Sequence, residues 1–349
     1  MNRWTLALAI ASLVMSGISL SAQDLNNPGA YMDAITSAKL EMNQQYMAYM
    51  SVAAHRRRAK KVEKVREQTL ETIANCRSRT VGLPKYKGDN SLRQSSIEYI
   101  QFCYRVFNED YSKIVNMEEI AEQSVDEMQA YLMMQEMTSE KLKEASARMN
   151  QAEKDFAARY NVNLIETKDD LSEKLSVAGK INHYSDNLFI IFFKCNWEDE
   201  QMIKAYNNKK VNDAEQARNA LMHFVEEGKS KLQTDSLRNF MGNPALANSC
   251  MAALQFYDHL AKVEAPRMTD YFLKQENFEK IKKNMEAKSS SRSKEDVDAY
   301  NRAVKDINSS INEFNQLNQE VNKKRADVNA QWEKAEWDFN NDMMPHYKK

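Results

Sequence analysis

The residues able to do chemistry are few and scattered. Five histidines occur in the chain, and none stands three residues after a glutamate. The Glu-X-X-His pairs of di-iron bundles are therefore missing, as is the His-Glu-X-X-His of helical zinc proteases. His223 and Glu226 form a His-X-X-Glu pair, whose spacing places imidazole and carboxylate on one helix face as a two-ligand start for a metal site. Cys76, Cys103, Cys195 and Cys250 have no Cys-X-X-Cys spacing, which leaves neither a zinc ribbon nor a thioredoxin-type centre. Buried small hydrophobes and long-range disulfides both remain open for them. Met133, Met134 and Met137 could present soft thioethers to Cu(I), although methionine more often fills irregular bundle cores. From His55 to Lys61, the residues Arg56, Arg57, Arg58, Lys60 and Lys61 form one dense cationic cluster suited to an anionic partner. No Gly-rich phosphate loop and no Gly-X-Ser-X-Gly elbow occurs.

The elements that must hold these residues are helices. With 7 Gly and 5 Pro among 349 residues, too few turn formers exist for many-stranded folds. The apolar share of 42% beside 28% charged residues supplies a core, and a net charge of −1 offers no overall field for nucleic acid. Met117, Ala121, Val125, Met128 and Leu132, then Leu142 to Phe156, recur at three- and four-residue steps as one helical stripe. A second stripe runs from Val297 through Ile307, Phe314, Val321, Val328 and Trp332 to Phe339, predicting a helix of about 45 residues. Helices of that length need partners along their sides, which implies an elongated bundle or coiled-coil packing.

The start of the chain reads as an export signal. Arg3 precedes the apolar stretch Trp4–Val14, and small residues at Ser19, Ser21 and Ala22 offer a cleavage point near residue 22. The stretch is too short to span a bilayer, and so is the run Leu188–Phe193, which suits a buried bundle segment. No transmembrane segment is expected in the mature chain.

The sequence also repeats itself. Tyr86-Lys-Gly88-Asp-Asn-Ser-Leu92 reappears as Phe240-Met-Gly242-Asn-Pro-Ala-Leu246, with Gln101-Phe102 matched by Gln255-Phe256 at the same offset. Arg66, Leu70 and Ile73 match Arg218, Met222 and Val225 with a two-residue shift. The expected organisation is an all-α chain of two tandem helical bundles from an internal duplication. A signal peptide would occupy residues 1–22, the first repeat 23–161, a linker 162–179 and the second repeat 180–349. Each copy should hold a helical hairpin, the aromatic-X-Gly-Asp/Asn turn, a medium helix and a very long helix. Asp89 or Asn90 and Asn243 are the natural caps after each turn.

Several segments resemble a family of exported bacterial surface proteins without an assigned activity: Asn27-Pro-Gly-Ala-Tyr31-Met32, Lys87-Gly88-Asp89, Asn108-Glu-Asp-Tyr111, Met117 to Gln123, Arg218 to Leu221 and Phe272 to Phe278. The resemblance implies an envelope or surface location and transfers no catalytic residue or cofactor. The expected function is a non-enzymatic envelope or cell-surface protein acting through helical interaction surfaces, with envelope protein or polysaccharide as partner. The alternative is a metal- or haem-binding bundle of an uptake system, since His223-Phe-Val-Glu226 is similar to the motif of the imelysin-like proteins. Those carry Gly two residues before the His, where this chain has Leu221. Asp235-Ser236-Leu237 is similar to short O-glycosylation sites of some bacterial envelopes.

Overall fold

The computed structural model describes residues 24–54, 59–164, 170–288 and 291–345. Residues 1–22 and Arg56, Arg57 and Arg58 lie outside the described residues, as does the side chain of Lys60. Among the described residues the chain is all-helical, with two isolated β-bridges and no strand.

Helices α1 (Pro28–Ala54) and α2 (Ala59–Gly82) form a hairpin. A tight turn follows, then α3 (Ser91–Arg105), a π-helical turn (Val106–Asp110), α4 (Tyr111–Ala121) and α5 (Val125–Arg159). The second half runs α6 (Asp170–Asn207), α7 (Val211–Lys231), the short α8 (Asp235–Arg238) and α9 (Ala245–His259). A second π-helical turn (Leu260–Glu264), α10 (Ala265–Ala287) and α11 (Lys294–Met343) complete it. The 50 residues of α11 reach about 75 Å at 1.5 Å per residue.

Two details depart from the sequence reading. The stripe through Met117, Ala121, Val125 and Met128 is broken, because α4 ends at Ala121 and Ser124 opens α5 as an extended N-cap accepting from the Glu127 amide. A side-chain cap there satisfies an amide that a continuous helix would have bonded internally. Residues 170–179, read as linker, are the first turns of α6, with Leu171 and Ala178 buried.

The spine of the molecule is α6, which packs against α1, α5, α7, α9 and α11. Its apolar run is consumed on several sides. Phe192 stacks on Trp332 of α11 at 4.6 Å, Phe193 packs with Ala121 and Met128, and Leu188 is fully buried. Gly228 lets α7 approach closely: a Cβ there would sit 2.7 Å from Ile191 Cγ2 and 3.0 Å from a Leu254 methyl. One continuous apolar cluster includes Met42 and Tyr49 of α1, Leu188 of α6 and Trp332 of α11, so the halves share a core.

Candidate functional site

The chemistry-bearing residues singled out in the sequence lie apart from one another. His223 and Glu226 share the exposed face of α7, where Glu226 accepts from Lys262 at 3.2 Å. Among the described residues, no group of three or more His, Cys, Asp or Glu could hold a metal ion. Met134 packs against the main core, while Met133 and Met137 are exposed. Asp235 and Ser236 are exposed in α8, and Lys61 is exposed near the start of α2. All four cysteines are buried and unpaired, and burial pushes the Cys103 and Cys195 thiols up to about 12. Desolvation of the thiolate makes them packing groups rather than nucleophiles.

What the fold does bring together is a lock that occurs once in each half. In the first, Tyr86 and Asp89 exchange backbone hydrogen bonds of 2.9 and 2.8 Å around Lys87 (φ 46°) and Gly88 (φ 87°). In the second, the Asn243 amide donates to the Phe240 carbonyl at 2.9 Å around Met241 (φ 50°) and Gly242 (φ 86°). Two successive left-handed residues close such a turn, and glycine relieves the second of them. Asp89 and Asn243, through Oδ1, accept from the amides of Ser91 and Ala245, while Asn90 makes no side-chain cap. Each turn is pinned by a tyrosine from the hairpin: Tyr31 donates to the Pro84 carbonyl at 2.8 Å, Tyr184 to the Leu237 carbonyl at 3.0 Å. A phenylalanine of the long helix completes each ring cluster, Phe156 with Tyr31 and Tyr86, Phe339 with Tyr184 and Phe240.

The π-helical turns are latched in parallel fashion. Arg66 donates to the Phe107 carbonyl at 2.8 Å and is held by Glu63; Arg218 donates to the Ala261 carbonyl at 3.3 Å and is held by Glu215. A π turn disturbs the regular helix ladder, so a side-chain donor compensates there. In the second half Glu215 also accepts from Thr269, and Tyr206 bonds both Thr269 and the Ala265 carbonyl. Glu264, nearly buried in the turn, contacts His259 at 3.0 Å and Arg267 at 2.9 Å.

Two ionic features stand out, one with no motif to announce it and one at a capping residue the sequence already marked. Asp199, fully buried on α6, takes a bidentate grip from Arg325 of α11 at 2.5 and 2.9 Å. Burial nevertheless raises its pKa, against the pull of the guanidinium. The available signal was periodicity: Asp199 interrupts the apolar positions Ile191, Cys195, Met202 and Tyr206. Asp89 is the other case. Bonds from Ser91, Arg159 and Tyr160 outweigh its desolvation and lower its pKa from 3.8 to about 2. The folded state thus holds this carboxylate ionised where the unfolded chain would protonate it. Its contribution to stability should be complete above about pH 4 and lost as pH falls towards about 2. Thermal melts of wild type and Asp89→Asn should therefore differ at neutral pH and converge in acid; a constant difference down to about pH 2 would refute the assignment.

Comparison with protein-family models, curated proteins and solved structures finds no match to this chain.

Proposed function

We propose that this protein is an internally duplicated, non-enzymatic scaffold of the bacterial envelope or cell surface that binds anionic envelope material through Arg56, Arg57, Arg58, Lys60 and Lys61. The observation that supports the duplication is the doubled lock, while the anionic contact rests on the Arg56–Lys61 cluster in the sequence. Tyr86, Gly88, Val106 and Phe107 stand 154 positions before Phe240, Gly242, Leu260 and Ala261, which take the same places in turn and π helix. Tyr31 and Tyr184 each reach a carbonyl 53 residues further on. Side chains capable of chemistry are spent on these locks: the tyrosines pin turns, the paired Glu and Arg brace π helices, and the thiols pack.

The two copies are fused through a shared core rather than strung as separate beads. Export is supported by Arg3, the apolar stretch after it and the small residues before residue 23. In sequence, Arg56, Arg57 and Arg58 fall between Ala54, where α1 ends, and Ala59, where α2 begins, and Lys60 and Lys61 belong to the first turn of α2. Junctions between rigid helices are places where binding groups can be displayed without disturbing a core. The corresponding junction of the second half, Asn208 to Lys210 between α6 and α7, carries only two lysines, so the anionic contact belongs to the first copy. The test is retention on anionic vesicles with Arg56, Arg57 and Arg58 intact or replaced by Ala.

A further inference from the structure

Methionine ordinarily fills irregular core space. In the middle of α5 that role falls to Met134, which packs against the main cluster, and Thr138 one turn on is fully buried. Met133 and Met137 lie outside this packing and are 63% and 46% exposed. The fold does not require thioethers there. Counted back equally from Phe156 and Phe339 of the two aromatic locks, the same places in α11 hold Gln316 and Glu320, an exposed pair joined by a hydrogen bond of 2.9 Å. The register is sound, because Thr138 matches Val321 and Met149 matches Trp332 at that count, and all four are buried.

Four residues apart on a helix, Met133 and Met137 are neighbours, with Cβ atoms about 5–6 Å apart. Glu136 stands between them in sequence, one turn after Met133, and its Oε1 meets Nδ1 of His183 on α6 at 3.3 Å. Both side chains of that contact are exposed. A carboxylate that accepts from Nδ1–H fixes the imidazole in the tautomer whose Nε2 carries the lone pair, which is how metal-bound histidines are oriented from behind. Two thioethers with one imidazole make a soft donor set, of the kind that selects Cu(I) over hard divalent ions. Among the described residues no third His, Cys, Asp or Glu joins His183 and Glu136 in a cluster, so Zn(II) or Ca(II) would find too few ligands.

The geometry points to a soft-metal site on this face of the α5–α6 pair: Met133 Sδ, Met137 Sδ and His183 Nε2 bind one Cu(I) ion. Glu136 is the positioning residue behind the imidazole. The unbranched side chains of the two methionines, each with three rotatable bonds, swing over Glu136 to meet the ring. Binding of the ion is a ligation step and involves no change of oxidation state. The site belongs to the first half alone, since α11 offers an amide and a carboxylate at the matching places. The inference rests on these residues only and stands whether or not the cationic cluster at Arg56 binds anionic material.

The test titrates the purified protein with Cu(I), kept reduced by ascorbate under nitrogen, and with Ag(I), its air-stable soft counterpart. Wild type should take up one equivalent more than the Met133→Leu, Met137→Leu double variant, whose helicity should be unchanged because both side chains are exposed. The four buried thiols are the same in every variant, so this difference reads the Met133–Met137–His183 site alone. The methyl resonances of Met133 and Met137 should shift on metal addition, while that of Met241, exposed in the second half, should not. His183→Asn and Glu136→Gln should each weaken binding by about tenfold or more. Zn(II) should leave the methionine signals unmoved. Equal uptake by wild type and the double variant, methyl resonances that stay in place, or unchanged affinity in His183→Asn or Glu136→Gln would overturn the inference.

Discussion

Trp332→Ala should destabilise the protein by about 3–5 kcal/mol, the range for removing a large buried aromatic side chain. Trp332 is 2% exposed and stacks on Phe192 at 4.6 Å with the rings 8° from parallel, joining α11 to the spine helix. Its removal opens a cavity where α6 and α11 meet, and the surrounding helices are tied too firmly to collapse into it. Phe339, further along α11, sits in the aromatic lock, and Asp199 with Arg325 fixes the other side. Thermal or urea denaturation should show a fall in Tm of roughly 5 °C or more. Trp337, five positions later on the same helix and 59% exposed, is the internal control: its change to Ala should shift stability by less than about 0.5 kcal/mol. Equal effects of the two substitutions would mean that α11 does not pack as described.

Breaking the Asp199–Arg325 pair from one side should cost a similar amount, about 3–5 kcal/mol. Arg325→Met is the more informative change, because it leaves a fully buried carboxylate with its cation gone. Desolvation already raises the Asp199 pKa against the guanidinium; without Arg325 nothing opposes it. A carboxyl with a raised folded-state pKa favours the folded state at low pH and loses that contribution as pH rises. The penalty of Arg325→Met at neutral pH should therefore shrink as the solution is acidified. Asp199→Leu combined with Arg325→Met should recover most of the loss, since well-packed apolar residues can replace a buried pair at little cost. A double-mutant cycle measures this coupling directly, and additive single effects would show that the two residues do not act together.

Helical class, the long α11 and the paired turns were legible in the sequence because each rests on local chemistry. Few turn formers, three- and four-residue apolar steps, and Gly88 and Gly242 at left-handed positions all act within a few residues. The break at Glu122–Ser124 was harder to see, because the apolar period continues across it and only Ser124 marks the new start. Asp199 and Arg325 were visible only as irregularities. Arg325 occupies the seven-residue gap between Val321 and Val328 in the stripe of α11, and Asp199 sits among apolar positions of α6. Each anomaly alone suggests a solvated charge; only the packing of α6 against α11 makes them one pair. The Arg66 and Arg218 latches were legible as matched residues but not as latches, since their partners are backbone carbonyls about 40 residues away. The core shared between the halves was hidden for the same reason, because periodicity shows which face is apolar and not what covers it.

Vesicle co-sedimentation tests most directly whether the protein is an interaction scaffold that holds anionic envelope material. Wild type and the Arg56→Ala, Arg57→Ala, Arg58→Ala triple variant would be compared on vesicles of phosphatidylglycerol with phosphatidylcholine and on phosphatidylcholine alone. Each cationic side chain near an anionic surface contributes about 1 kcal/mol, so losing three should weaken binding roughly a hundredfold at low salt. Wild type should pellet with anionic vesicles, be released by added salt and ignore neutral vesicles, and the triple variant should lose retention while its circular dichroism spectrum stays unchanged. Equal retention of the two proteins at low salt, or none for wild type, would contradict the proposed function.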